Sequence, residues 1–226
     1  HPTSVINPGY EILFFWVARM ILMSQYLIGE IPFETVYLHG MLRDEKGQKF
    51  SKSLGNGVDP IQIIEEYGAD ALRMSMIMGI GPGADSKFDI GKVKAYSKFA
   101  NKIWNITRYV LSREKSGELK KELTDEFETL ALDITNDMEN FRFYLAAEKI
   151  YHYLWHRFAD QIIEESKNKP EYGATLYYIL ENSLKLLHPF MPFVTEEIWS
   201  MMLNTSNLLL VSKWPFDFAQ GKPNDK

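Results

Sequence analysis

Lys49-Phe50-Ser51-Lys52-Ser53-Leu54-Gly55-Asn56 is the stretch on which the reading of this sequence turns. Two lysines three residues apart stand among two serines and a glycine. Their ammonium groups can converge on one polyanion, and the hydroxyls and loop amides can add hydrogen bonds. When a phosphoryl or nucleotidyl group is transferred, charge builds on the departing phosphates, and cations aimed there lower the barrier. Gly55 would let such a loop close over a ligand. By composition alone the same residues also read as a solvated surface turn.

Outward from the loop, the chain changes character on either side. Ahead of it, 43–47 is a polar turn and 35–39 alternates with β-branched residues, which predicts a strand. Residues 10–28 predict a buried helix stopped by Gly29, and 1–9 is turn-rich. After the loop, Asp59-Pro60 is a helix start, with Asp as N-cap and Pro at the first helical position. That helix should stop at Gly68, and another should run over 69–78. The glycine-rich 79–86 punctuates the chain and is the expected domain boundary. Beyond it, helical periodicity predicts helices near 89–112, 124–138, 140–168, 172–187 and 192–203. A short strand is expected at 208–211 and a disordered polar tail at 216–226. One or two strands cannot close a core. The N-terminal α/β piece is therefore expected to belong to a larger sheet with further strands upstream, followed by an all-α bundle.

The 226 residues suffice for one large domain or two smaller ones. A net charge of −5 argues against a general nucleic-acid binder but leaves room for local basic patches. Absence of cysteine excludes disulfides and thiolate metal sites. No cluster of His, Asp or Glu has metal-ligand spacing. No signal peptide is evident, and Arg19 interrupts the most apolar stretch, 12–28, against a membrane span. The first residue, His1, suggests a fragment or a processed start.

Pro8-Gly9-Tyr10-Glu11-Ile12-Leu13-Phe14-Phe15-Trp16-Val17-Ala18-Arg19 offers a second set of candidates. Gly9, at a strand-to-helix turn, lets a ligand approach the backbone. Glu11 in the first turn could accept from ribose hydroxyls. Ile12 and Trp16, four apart, would share a helical face and could wall an apolar pocket, or simply be core. His39-Gly40 at a strand end is either a site element or structural. In the bundle, Lys102 and Tyr109 are seven apart, with Arg108 beside them. That is a cation-and-aromatic face suited to RNA, or a solvated lysine and a half-buried tyrosine. Tyr151, His152, Trp155, His156 and Arg157 form a further cluster, expected to be mostly packing.

The loop resembles the KMSKS signature of class Ia aminoacyl-tRNA synthetases, with Phe50 in the Met place. The similarity continues through Leu54-Gly55-Asn56, Val58-Asp59-Pro60 and Tyr67-Gly68-Ala69-Asp70-Ala71-Leu72-Arg73. Lys98-Phe99-Ala100-Asn101-Lys102-Ile103-Trp104-Asn105 and 188–199 resemble landmarks of that family's anticodon-binding domain, with Trp104 and Trp199 expected in the core. The residues from Gly9 to Arg19 are similar to the valine-activating branch, although the usual residue at Glu11 is Asp. Isoleucine and leucine relatives carry other polar residues around that glycine.

The resemblance implies a remnant of a Rossmann-type catalytic domain over 1–56, a stem-contact region over 57–88, an anticodon-binding helical bundle over 89–212 and a tail over 213–226. It implies that Lys52 and Lys49, supported by Ser51 and Ser53, stabilise the pyrophosphate leaving group. Gly9, Glu11, His39, Gly40 and Lys52 would lie at ATP, Ile12 and Trp16 at the amino acid, and Lys102, Arg108 and Tyr109 at the tRNA. Mg²⁺ would arrive with ATP, with no protein-bound metal. The partners implied are valine, ATP and a valine-specific tRNA, in a monomeric cytoplasmic enzyme without a membrane. The HIGH signature and editing domain would lie outside these residues, so the chain alone is expected to complete neither adenylation nor editing. Alternatives are an isoleucine-specific member and a non-catalytic tRNA-binding module.

Overall fold

The structure is a computed structural model that describes residues 1–51, 53–203, 207–217 and 222–223. The chain divides into two units: His1–Val58 with Ile80–Asp89, and Asp59–Gly79 with Ile90–Lys226. The stretch 57–88, read as one region in the sequence, is thus shared between them.

The first unit is built on short parallel pairs. Strand β1 (Thr3–Ile6) lies parallel to β2 (Phe33–Val36), with Val5 opposite Thr35. A bridge between Gly9 and His39 carries the pairing past the end of β2, so the strand expected at 35–39 starts earlier and ends in an isolated bridge. Between the strands runs a continuous helical segment: a 3-10 turn (Tyr10–Ile12), a π-helical stretch (Leu13–Val17) and α1 (Ala18–Ile28). Gly29 ends it with φ +73°, a conformation that costs a glycine little. Strand β3 (Leu42–Arg43) pairs in parallel with β4 (Ser86–Lys87), which returns the chain to this unit.

The expectation of a buried helix over 10–28 is corrected. Val17 is buried, but Phe14 is 74% and Tyr26 85% exposed, and Leu22, Leu27 and Ile28 also face solvent. An unbroken apolar run has no polar face to mark its orientation, and two four-residue strands offer too little surface to cover such a helix. By length and composition, Tyr10–Ile28 is the one helix among the described residues that could cross a membrane.

The second unit begins as the sequence dictates. The Asp59 carboxylate accepts the Ile61 amide at 2.9 Å, Pro60 occupies the first turn, and α2 (Pro60–Tyr67) stops at Gly68. Helix α3 (Ala69–Ser75) ends in a turn three residues before the expected Met78. The bundle proper comprises α4 (Ile90–Leu111), α5 (Lys121–Glu139), α6 (Phe143–His152), α7 (Glu164–Ser166), α8 (Gly173–Leu187) and α9 (Pro192–Leu203). Phe99, Ile103, Ile106 and Val110 recur at steps of three and four and are buried together, which fixes the inward stripe of α4. Trp199 joins this core, and Trp104 packs against it while staying partly exposed.

Three bundle expectations are corrected. The single helix expected over 140–168 starts at Phe143, because Phe141 takes φ +57° and turns the chain. Between α6 and α7 it is π-helical (Tyr153–Ile163). Buried Tyr153, Phe158 and Ile163 are five apart, matching i→i+5 geometry, a spacing that a 3.6-residue period obscures. At 208–211 a 3-10 turn (Leu209–Val211) replaces the strand, since the Glu196 carboxylate takes the Leu209 and Leu210 amides at 2.6 and 3.2 Å. In the tail, β5 (Phe216–Asp217) pairs antiparallel with β6 (Lys222–Pro223), where disorder was expected. A two-residue pair of this kind leaves no periodicity to read. Positions 218–221 and 224–226 lie outside the described residues.

Candidate functional site

The lysine loop is held by its flanks. Residues 44–47 turn the chain, with the Asp44 amide on the Gln48 carbonyl at 2.8 Å, and an antiparallel bridge joins Arg43 to Lys49. The Asp44 carboxylate accepts the Gln48 amide at 2.7 Å and the Asn56 side-chain amide at 2.8 Å. These donors, Asn56 first, hold the Asp44 carboxyl below its usual range. Asn56 also accepts the Ser51 amide at 2.9 Å and reaches the Lys49 carbonyl at 3.3 Å. The hydroxyls of Ser51 and Ser53 are 2.6 Å apart. Lys52 lies outside the described residues.

The start of the helical segment approaches this loop. The Lys49 ammonium is 2.6 Å from the Glu11 carboxylate, and both groups are exposed. Two of the predicted site residues, far apart in sequence, are therefore neighbours. Gly9 is buried beneath the His39 ring, and a β-carbon there would stand 3.3 Å from His39 Cε1. The His39 ring nitrogen Nδ1 lies 2.8 Å from the Gly40 carbonyl. At Gly40 a β-carbon would fall 1.8 Å from the Ala84 carbonyl oxygen, so no side chain fits.

Ile12 and Trp16 are 43% and 46% exposed, so neither is core. The argument that four residues place them on one face needs correction. Ile12 ends a 3-10 turn and Trp16 sits in a π-helical stretch, so the α-helical phase does not apply between them.

Asp85 is a residue that sequence reasoning missed. It accepts the Met41 amide at 2.8 Å, Arg43 Nε at 2.6 Å and the Tyr10 hydroxyl at 3.3 Å. The amide and guanidinium hold its carboxyl below the ordinary range. It ties the helix start, β3 and the returning segment together. A separation of 42 residues from Arg43 leaves no local pattern to find it by.

In the second unit, the three candidates for RNA contact differ in their freedom. Lys102 donates to Asp160 at 2.8 Å and sits 4.2 Å over the Trp155 ring. Tyr109 packs against the core, and its hydroxyl meets Ser166 Oγ at 3.2 Å. Arg108 is exposed. In the cluster at 151–157, half-buried Tyr151 and Trp155 pack on Phe99 and Arg157 grips Glu126 with two bonds of 2.7 and 2.6 Å, while His152 and His156 are exposed.

Two of the stretches quoted for the resemblance meet inside this unit. Asp70 accepts the Phe193 and Val194 amides at 3.2 and 2.7 Å, satisfying the first turn of α9. Burial nevertheless pushes its carboxyl up. Arg73 donates to the carbonyls of Pro189 and Phe190 at 3.0 and 3.3 Å.

Comparison with known proteins places these units. Residues 1–89 match the family of class I tRNA synthetases (I, L, M and V), and residues 120–225 match the anticodon-binding domain of tRNA ligases. A valine--tRNA ligase of Clostridium tetani is 40% identical over 247 residues, covering 100% of this chain and 28% of that protein. One from Bacillus subtilis is 42% identical over 238 residues, covering 95% and 27%. One from Thermotoga maritima is 40% identical over 230 residues, with the same coverage as the second. A LeuRS from Agrobacterium radiobacter K84, solved as a ternary LeuRS-tRNA-LeuAMS complex, superposes with a TM-score of 0.77 at 23% identity, over 97% of this chain and 29% of that one. That likeness speaks to the fold. The chain spans little more than a quarter of the length of these relatives.

Proposed function

With this chain belonging to the class I tRNA synthetases, we propose that it serves as part of a valine--tRNA ligase, supplying the phosphate side of the adenylation site and the anticodon-binding bundle. In the reaction, the carboxylate of valine attacks the α-phosphorus of ATP, and pyrophosphate departs. The tRNA terminal ribose hydroxyl then attacks the valyl carbonyl and releases AMP. Lys49 and Lys52, with Ser51 and Ser53, neutralise the charge that gathers on the pyrophosphate as the bond breaks. Mg²⁺ accompanies ATP rather than occupying a protein cage.

The observation that carries the proposal is the 2.6 Å contact between Lys49 and Glu11. It puts a loop cation beside a carboxylate at the mouth of the helical segment. Gly9 and Glu11 then offer the ribose one wall, His39 and Gly40 border the adenine, and Ile12 and Trp16 present apolar surface to the valine side chain. Valine is preferred over isoleucine because the three sequence relatives named above are all valine--tRNA ligases by name. In the bundle, Arg108 is the candidate whose charge is already available to a phosphate, while Lys102 would first have to leave Asp160. The complete enzyme is proposed to act as a cytoplasmic monomer.

Two assays on the 226-residue chain test this. A valine-accepting tRNA should bind at low salt, more tightly than an isoleucine-accepting one, and be released as salt rises. Valine-dependent ATP–pyrophosphate exchange should be absent. Failure to bind tRNA overturns the bundle's assignment, and exchange by the isolated chain overturns the division of the active site.

A further inference from the structure

Asn56 has no role in the reaction as described so far, yet its side chain bonds to both Ser51 and Lys49 of the lysine loop. Its Oδ1 accepts the Ser51 amide at 2.9 Å, and its Nδ2 donates to Asp44 at 2.8 Å and to the Lys49 carbonyl at 3.3 Å. One amide thus joins Ser51 and Lys49, five and seven residues back along the chain, to a fixed point. That point is rigid because the other Asp44 oxygen accepts the Gln48 amide at 2.7 Å within a turn closed at Gly47, whose φ is +82°. Across the loop itself, the one backbone bond among the described residues runs from the Leu54 amide to the Ser51 carbonyl at 3.2 Å. The Arg43–Lys49 bridge holds the loop at its start, and Asn56 is what ties the Ser51 amide to that same end.

We infer that Asn56, backed by Asp44, is the positioning residue of the lysine loop, presenting Lys49 and the Ser51 hydroxyl to the phosphate ligand. This rests on the phosphate reading of the loop given above. An amide is required because the site demands an acceptor for Ser51 and donors for Asp44 and Lys49 in one planar group. A carboxylate at 56 would face the Asp44 carboxylate with no donor between them. The low-lying Asp44 carboxyl agrees with an ionised partner for the amide.

The test is titration of the 226-residue chain with inorganic pyrophosphate, followed by NMR of the loop amides, with β1 and β2 amides as a check on folding. Asn56→Asp and the charge-neutral Asn56→Ala should each weaken pyrophosphate by about ten-fold, the worth of one charge-assisted hydrogen bond. They should also speed exchange of the Ser51 amide. The swap Asp44→Asn with Asn56→Asp rebuilds an amide–carboxylate pair, leaves Gln48 and Ser51 their acceptors and preserves net charge. The Lys49 carbonyl stays without its donor, so the swap should recover part of the lost affinity and bind pyrophosphate more tightly than either single variant. Equal binding by the unaltered chain and both single variants overturns the positioning role alone. Failure of the swap to recover affinity, with the β1 and β2 signals intact, does the same. No pyrophosphate binding by the unaltered chain overturns the phosphate reading, and the positioning role falls with it.

Discussion

The Lys49 ammonium lies 2.6 Å from the Glu11 carboxylate, joining residues 38 apart in the chain. One belongs to the loop and the other to the first turn of the helical segment. Both are exposed, at 51% and 39%, so solvent screens the pair and its contribution to stability is small. A weak pair is easily exchanged: a phosphate group can take Lys49 from Glu11, and a ribose hydroxyl can then take Glu11. Glu, one methylene longer than Asp, extends the reach of the carboxylate toward the loop.

Changing either member should separate stability from ligand binding. Lys49→Ala and Glu11→Gln should each leave the thermal midpoint within about 3 °C of the unaltered chain. Pyrophosphate affinity should move in opposite directions, falling in Lys49→Ala and rising in Glu11→Gln, which frees the lysine. Calorimetric titration reads both. A fall in both variants would mean that Glu11 helps hold the phosphate rather than competing for Lys49.

Two glycines in the first unit should differ sharply. Gly40→Ala drives a β-carbon into the Ala84 carbonyl, 1.8 Å away, and backbone cannot yield as a side chain can. It should cost about 3 kcal/mol or unfold the unit. Gly9→Ala meets the His39 ring at 3.3 Å and Met41 Sδ at 3.5 Å, side chains that can turn aside, and should be tolerated. Amide signals of β1 and β2 would register the difference, and equal behaviour would contradict this packing.

The α9 start depends on Asp70. Asp70→Ala removes the acceptor of the Phe193 and Val194 amides and should lower the stability of the helical unit by about 1–2 kcal/mol in urea unfolding. Asn at 70 should recover part of the loss, since one carbonyl oxygen remains to accept. A silent Asp70→Ala would show that water replaces the cap without penalty.

His188 gives the helical unit a pH dependence. Burial pushes its imidazole below the ordinary 6.5, against the opposing pull of Glu196 and Asp70. The unfolded chain therefore binds the proton more readily than the folded one. The stability linked to this group is complete above about pH 6.5 and is lost as pH falls through the lowered folded value. His188→Gln should flatten the stability profile below pH 6.5 while keeping a polar partner for Thr195, which the imidazole meets at 2.8 Å. A profile unchanged by that substitution would show that His188 is not the group responsible.

What could be read from the sequence was local. Asp59-Pro60 announced α2, Gly29 ended α1, and the three-and-four spacing of Phe99, Ile103, Ile106 and Val110 announced α4, because each signal lies within a turn or two of what it determines. The exposed face around Phe14 and Tyr26 was not legible, since an apolar run reads alike whether or not anything covers it. Nor was the π-helical stretch, whose five-residue spacing blurs into an α-helical pattern. Asp85 and the reach of Asn56 to Asp44 depend on tertiary approach, and nothing in either neighbourhood encodes the partner.

The most direct test replaces the corresponding stretch of the Bacillus subtilis valine--tRNA ligase with this chain, which is 42% identical to it over 238 residues. The hybrid should catalyse ATP–pyrophosphate exchange that depends on valine and responds poorly to isoleucine. Lys49→Ala in the hybrid should lower the rate by about 100-fold, the scale of losing one preorganised transition-state contact. A folded hybrid without valine-dependent exchange, or one indifferent to Lys49→Ala, would contradict the account.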